Sequence, residues 1–119
     1  MNQIIGQQTE ALACAYLKKQ GLVFIERNFR SRCGEIDLIM RDKQHLIFVE
    51  VRYRQQSQFG GAIESIDWHK QQRIIRTAER YLQEKQWASE LDSRFDVVTL
   101  SGNVATPSIA WIKNAFELS

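Results

Sequence analysis

A run of β-forming residues, Leu46, Ile47, Phe48, Val49 and Val51, constrains this chain more than any other feature, because Glu50 is set inside it. Apolar, β-branched and aromatic residues in such a run read as a buried strand. The preceding segment, Gly34-Glu35-Ile36-Asp37-Leu38-Ile39-Met40, alternates and reads as a partner strand. Arg41-Asp42-Lys43-Gln44 is the polar turn between them. A two-residue loop at Lys43-Gln44 pairs Asp42 with His45 and gives opposed residues an index sum of 87. Asp37 then faces Glu50, and Glu35 faces Arg52. A three-residue loop gives a sum of 86 and turns Glu50 to the opposite face from Asp37.

An ionised carboxylate in an apolar strand is unfavourable unless something compensates it, and like charges opposed on a sheet repel. Two arrangements relieve that cost. A divalent cation such as Mg²⁺ takes one or two carboxylates together with waters and substrate phosphate. Alternatively, Asp37 and Glu50 join an ion-pair ladder with Arg52, Arg41 or Arg54. Spacing alone supports both equally.

Around this hairpin the pattern continues on both sides. Residues 4–20 carry Ile5, Leu12, Ala13, Tyr16 and Leu17 on one side at helical spacing, with Gly21 as the stop. Residues 22–29 read as a first strand, 34–40 as a second and 45–53 as a third. Residues 54–65 form a polar loop in which Gly60-Gly61 permits a sharp turn. A second helix starts after the N-cap Asp67 and runs to about Gln86, with Trp68, Gln71, Ile74, Ile75, Ala78, Tyr81 and Leu82 as its inner stripe. Residues 94–100 are a fourth strand, and 109–116 a fifth strand or irregular edge. The order α-β-β-β-α-β-β predicts an α/β sandwich with a central mixed sheet in a single domain, residues 1–119.

Composition narrows the class of function. No apolar run approaches the roughly 20 residues of a membrane span. The N-terminus lacks the basic flank and apolar core of a signal peptide, so the expected location is the cytoplasm, with no membrane partner. Cys14 and Cys33 have no Cys or His at metal-ligand spacing and read as buried or half-buried thiols in a reducing compartment. His45 and His69 read as surface residues, and Trp68, Trp87 and Trp111 as core. The net charge of +2 is unevenly distributed. Arg27 to Arg54 holds seven basic against four acidic residues, whereas Gln86 onward holds two against four. Such a basic middle suits a polyanion, and it also suits an ordinary solvated surface.

"GEIDLI" followed by "FVEVR" resembles the core of the PD-(D/E)XK nuclease superfamily, in which an acid on one strand precedes E-x-K on the next. The whole chain resembles the bacterial YraN-like family of endonuclease-like proteins, and the hairpin is similar to that of archaeal Holliday-junction resolvases. This likeness implies a restriction-endonuclease-like fold. It also implies a Mg²⁺- or Mn²⁺-dependent endonuclease that hydrolyses DNA phosphodiesters, including branched or structured DNA, to 5′-phosphate and 3′-hydroxyl ends. It makes Asp37 and Glu50 the metal ligands and Glu10, Asp37, Glu50 and Arg52 the catalytic set. Glu35 and Gln71 are auxiliary candidates. Arg27, Arg30, Arg32, Arg54, Lys70, Arg73 and Arg76 are the candidate nucleic-acid contacts. A homodimer would suit cleavage of two strands. Arg52 stands where the superfamily has Lys, and arginine stays protonated, so it serves as a fixed charge and not as a base. The competing expectations are a nucleic-acid-binding module with a decayed metal site and a protein-interaction domain whose strand acids form ion pairs.

Overall fold

The computed structural model describes residues 2–55 and 66–117. Helix α1, Asn2–Lys19, ends at the predicted stop: Gly21 takes φ +101° and the Leu22 N–H bonds back to the Leu17 carbonyl at 3.1 Å. Only glycine adopts that backbone without strain, so the chain turns here into β1, Val23–Ser31. Strands β2, Gly34–Asp42, and β3, His45–Arg54, follow as the expected hairpin. Helix α2, Trp68–Glu84, begins at Asp67, whose carboxylate accepts the Lys70 N–H at 2.9 Å. A single turn, α3, Gln86–Ser89, then leads into β4, Asp92–Ser101, and β5, Ser108–Phe116. Four residues are too short to leave a periodic signal, which is why the sequence pattern does not mark α3. The expected turn at Gly60-Gly61 lies outside the described residues.

The five strands form one mixed sheet in the order β1-β2-β3-β4-β5. All neighbours are antiparallel except β3 and β4, which run parallel through the α2 crossover. β3 is therefore central and is hydrogen-bonded on both sides, which explains its unbroken apolar character. Alternate side chains of the sheet fill two cores. Phe48, Phe95 and Val97 pack beneath α2 through Ile74, Ile75, Ala78 and Tyr81. Ile47, Val49, Val98 and Leu100 pack against α1 through Ala13 and Leu17. Truncating a buried leucine such as Leu17 to alanine costs about 2–5 kcal/mol in a core of this kind.

The stripe of α2 is narrower than its sequence suggests. Trp68 is 63% exposed and Trp87 45% exposed, so neither is a core residue. At 100° per residue, Trp68 lies about 90° from the centre of the face defined by Ile74, Ile75, Ala78 and Tyr81. Trp111 is half-buried, and its indole is used in a hydrogen bond to Asp96. His45 and His69 are exposed, as expected, and Cys14 is half-buried. Cys33, expected to be at least half-buried, is exposed because it sits in the turn between β1 and β2. Among the described residues, no helix is long and apolar enough to cross a membrane.

Candidate metal and phosphate site

The β2–β3 ladder has the register with index sum 87, from Asp42↔His45 to Leu38↔Val49. It stops there. The next position brings Asp37 against β3, but its carboxylate replaces the backbone in the ladder: Val51 N–H donates to Asp37 Oδ2 at 2.8 Å. Beyond it β2 pairs only with β1, as far as Ser31↔Gly34, while β3 continues beside β4 to Arg54↔Ser101. The two strands part, and a cleft of about 150 Å³ opens, lined by Gly34, Glu35, Asp37, Glu50, Lys70 and Arg73.

The period of two breaks at the same place. Leu38 and Met40 enter the core under α1, but Ile36 joins Ile39 and Phe29 in the core under α2. Across the β1–β2 pair, Asn28 has φ +55°. Asparagine tolerates this left-handed backbone better than most residues because its short side chain bonds locally. With its amide oriented to satisfy its neighbours, the Asn28 nitrogen donates to Glu10 at 3.1 Å and to Glu35 at 2.8 Å. Asn28 thus ties the helix α1 acid to the cleft. The sequence pattern does not mark this residue, although an Asn inside a strand, here between Arg27 and Phe29, is a residue type enriched at positive φ.

The electrostatics are uneven. Glu50 is buried, and its Oε2 faces two cations, Arg52 Nη2 at 3.1 Å and Lys70 Nζ at 3.3 Å. Arg52 Nη2 is off the line of a hydrogen bond despite that distance. Its Nε and Nη2 are buried without a hydrogen-bond partner among the described residues. The Glu50–Arg52 contact is therefore coulombic. Asp37 has no cationic partner among the described residues. Burial first, and then the charge of Glu50, push its carboxyl well above the ordinary carboxylate range, with only the Val51 N–H acting strongly the other way. Burial also raises Glu10, against the pull of Arg27, which lies 3.5 Å from it.

The expected residues divide into several groups. Asp37, Glu50, Glu35, Lys70 and Arg73 line one cleft, with Arg52 against Glu50. Glu35 does not face Arg52; it lies 3.6 Å from Arg30 and accepts from Asn28, because the register ends before it reaches Glu35. Gln71 donates to the Ile66 carbonyl at 3.0 Å and so braces the start of α2. Arg41 donates to the Lys43 carbonyl and Arg54 to the Tyr53 carbonyl, so neither serves the acids. Arg32 and Arg76 line a separate cleft with Arg30. The Lys70–Glu50 contact spans two elements far apart in sequence, so no local spacing pointed to it.

Among the described residues, no three His, Cys, Asp or Glu side chains are placed together to hold a metal ion. The donor set is two hard carboxylates, enough for Mg²⁺ or Mn²⁺ only when waters and a phosphate complete the shell. Glu50, which is buried, and Asp37, half-buried against it with no cation of its own among the described residues, fit such a cation.

Comparison with other proteins follows the same region. A family model described as "Uncharacterised protein family UPF0102" matches residues 9–100, a span running from α1 to the end of β4. A UPF0102 protein of Nitrosococcus oceani is 46% identical over 113 residues, covering 95% of this chain and 91% of that protein. One from Coxiella burnetii is 48% identical over 118 residues, 99% and 96% of the two chains. One from Pseudomonas aeruginosa is 49% identical over 115 residues, 94% and 91%. The chain belongs to the UPF0102 family, the YraN-like group that its sequence resembles.

Proposed function

We propose that the protein is a Mg²⁺- or Mn²⁺-dependent DNA endonuclease of the PD-(D/E)XK type, acting in the cytoplasm and including branched or structured DNA among its substrates. The observation that carries this reading is the pairing of Asp37 and Glu50 at the point where β2 and β3 part, with no cation on Asp37 among the described residues. A structural ion-pair ladder would have supplied one.

Asp37 and Glu50 would hold the metal, which when bound supplies an activated water and neutralises charge on a phosphodiester. The remaining work falls to the chain. The Val51 N–H fixes the aim of Asp37. Arg52 holds Glu50 and, being always protonated, contributes charge without moving a proton. Lys70 and Arg73 present cations to phosphate oxygens entering the same cleft. Glu10 stands behind the pair, held by Arg27, and adds to the negative field that draws the metal in.

The test is incubation of the purified protein with linear, nicked and four-way-junction DNA in Mg²⁺, Mn²⁺ or EDTA, beside the Asp37→Asn/Glu50→Gln double variant. Metal-dependent cleavage lost in the variant supports the reading. A second reading, a DNA-binding module with a decayed site, rests on Arg52 and on the two-carboxylate donor set. DNA binding without cleavage under every metal would favour it.

A further inference from the structure

A second, larger cleft of about 380 Å³ lies between α2 and the β1–β2 turn. Its wall carries Arg30, Arg32, Arg76 and Arg80 against Glu79 and Glu84. Arg80 is drawn to Glu84 at 3.4 Å and Arg30 to Glu35 at 3.6 Å. Arg32 and Arg76 are exposed and have no acidic partner within ion-pair distance among the described residues. This cleft adjoins the acidic one: Cys33 and Arg76 line it, while the neighbouring Gly34 and Arg73, one turn back on α2, line the other.

The wall is pre-set. The Cys33 N–H donates to Ser31 Oγ at 3.1 Å, Ser31 Oγ donates to Thr77 Oγ1 at 3.2 Å, and Thr77 Oγ1 donates to the Arg73 carbonyl at 2.8 Å. This hydroxyl chain, with Thr77 fully buried, clamps the turn onto α2. Gly34 belongs to the clamp, since it has φ +156° and a Cβ there would lie 3.4 Å from Thr77 Oγ1. Along α2, Lys70, Arg73, Arg76 and Arg80 recur every three or four residues and share one side of the helix. At about 1.5 Å per residue they cover about 15 Å. Phosphates advance about 3.4 Å along each strand of a duplex, so about five successive phosphates, four steps apart end to end, match that length.

We propose that the arginine-lined cleft is a phosphate-binding groove for the nucleic-acid strand flanking the acidic cleft, with α2 as its track and Arg32 and Arg76 as its free contacts. The proposal rests on the DNA reading above and adds the path of the strand. Backbone phosphate is the recognised chemistry, so binding along the track is independent of base sequence and sensitive to salt.

The experiment measures binding of a fluorescent DNA duplex in EDTA, where no cleavage occurs, across a salt series. Arg32→Ala/Arg76→Ala should lower the slope of log affinity against log salt by about 2, on the order of a 50-fold loss at 0.1 M salt. Lys19→Ala, an exposed charge on α1, should leave the slope unchanged. Cys33 provides a second readout, because its exposed thiol lines the groove. Saturating DNA should slow its maleimide labelling in the wild type. An unchanged slope with unprotected Cys33 overturns the track, even if the wild type cleaves DNA. A reduced slope and protected Cys33 in a protein inert with every metal support the track and overturn the nuclease. Failure of the wild type to bind DNA overturns both.

Discussion

Asp96 on β4 and Glu50 on the neighbouring β3 are both buried carboxylates, yet their surroundings differ in kind. Asp96 is fully satisfied. It takes Arg94 Nε at 3.0 Å, the Trp111 indole at 2.9 Å and the Asn114 N–H at 2.9 Å, and so pins β5 across the irregular β4–β5 pairing. Arg94 braces the carboxylate from within β4, and the Trp111 and Asn114 bonds tie β5 to β4. Glu50 faces two cations on a single oxygen, and beside it Asp37 has another acid for a neighbour. A buried acid surrounded by donors is part of the scaffold. One set against a second acid needs a further positive charge to settle it.

The sharpest way to break this comparison is to remove each acid and follow unfolding in urea. Asp96→Ala strands Arg94 and the Trp111 indole, and should cost about 3–5 kcal/mol. A loss below 1 kcal/mol would mean that the network is incidental. Activity separates the regions next. Arg52→Ala should lower cleavage by about 10²–10³ while DNA binding stays near wild type, and Arg52→Lys should retain cleavage. Cleavage by Arg52→Ala at the wild-type rate would make Arg52 purely structural.

Metal linkage gives a smaller effect. Mn²⁺ at about 100 times its dissociation constant should stabilise the wild type by about 2.7 kcal/mol, and Asp37→Asn by far less. Thermal melts with and without Mn²⁺ measure this, and equal stabilisation of both would move the ion elsewhere. Without metal, Asp37→Asn should match or exceed the wild type in stability. The folded pKa of Asp37 lies above its unfolded value, so the native state holds the proton more tightly. Its contribution is fully present below the unfolded carboxylate range and is lost as pH rises through the folded pKa. The advantage of the variant should therefore grow as pH rises above about 4, and then level off. Smallest is Trp68→Ala, expected within about 0.5 kcal/mol of wild type because the ring is mostly exposed. A larger loss would restore Trp68 to the core.

Much of the frame is legible along the chain because it depends on neighbours in sequence. The two-residue turn at Lys43-Gln44 sets the register that brings Asp37 toward Glu50. Gly21 ends α1, and Asp67 starts α2. The misreadings come where one element meets another. Glu35 is paired on paper with Arg52, but β2 has left β3 before that rung forms. Trp68 fits a helical stripe whose width the sheet below, and not the helix, decides.

By itself, then, the sequence determined strand and helix identity, the hairpin register and the presence of two acids that a sheet of this kind cannot cheaply bury, because period and turn chemistry act within a few residues. Only the tertiary structure decided where β2 and β3 separate, that Asn28 ties Glu10 to Glu35, that Lys70 reaches Glu50, and that Asp96 is scaffold. Those outcomes depend on β3 finding a parallel partner in β4 and on α2 settling across one face of the sheet. Contacts of that kind join residues distant in sequence, and a local pattern carries no information about the distances between them.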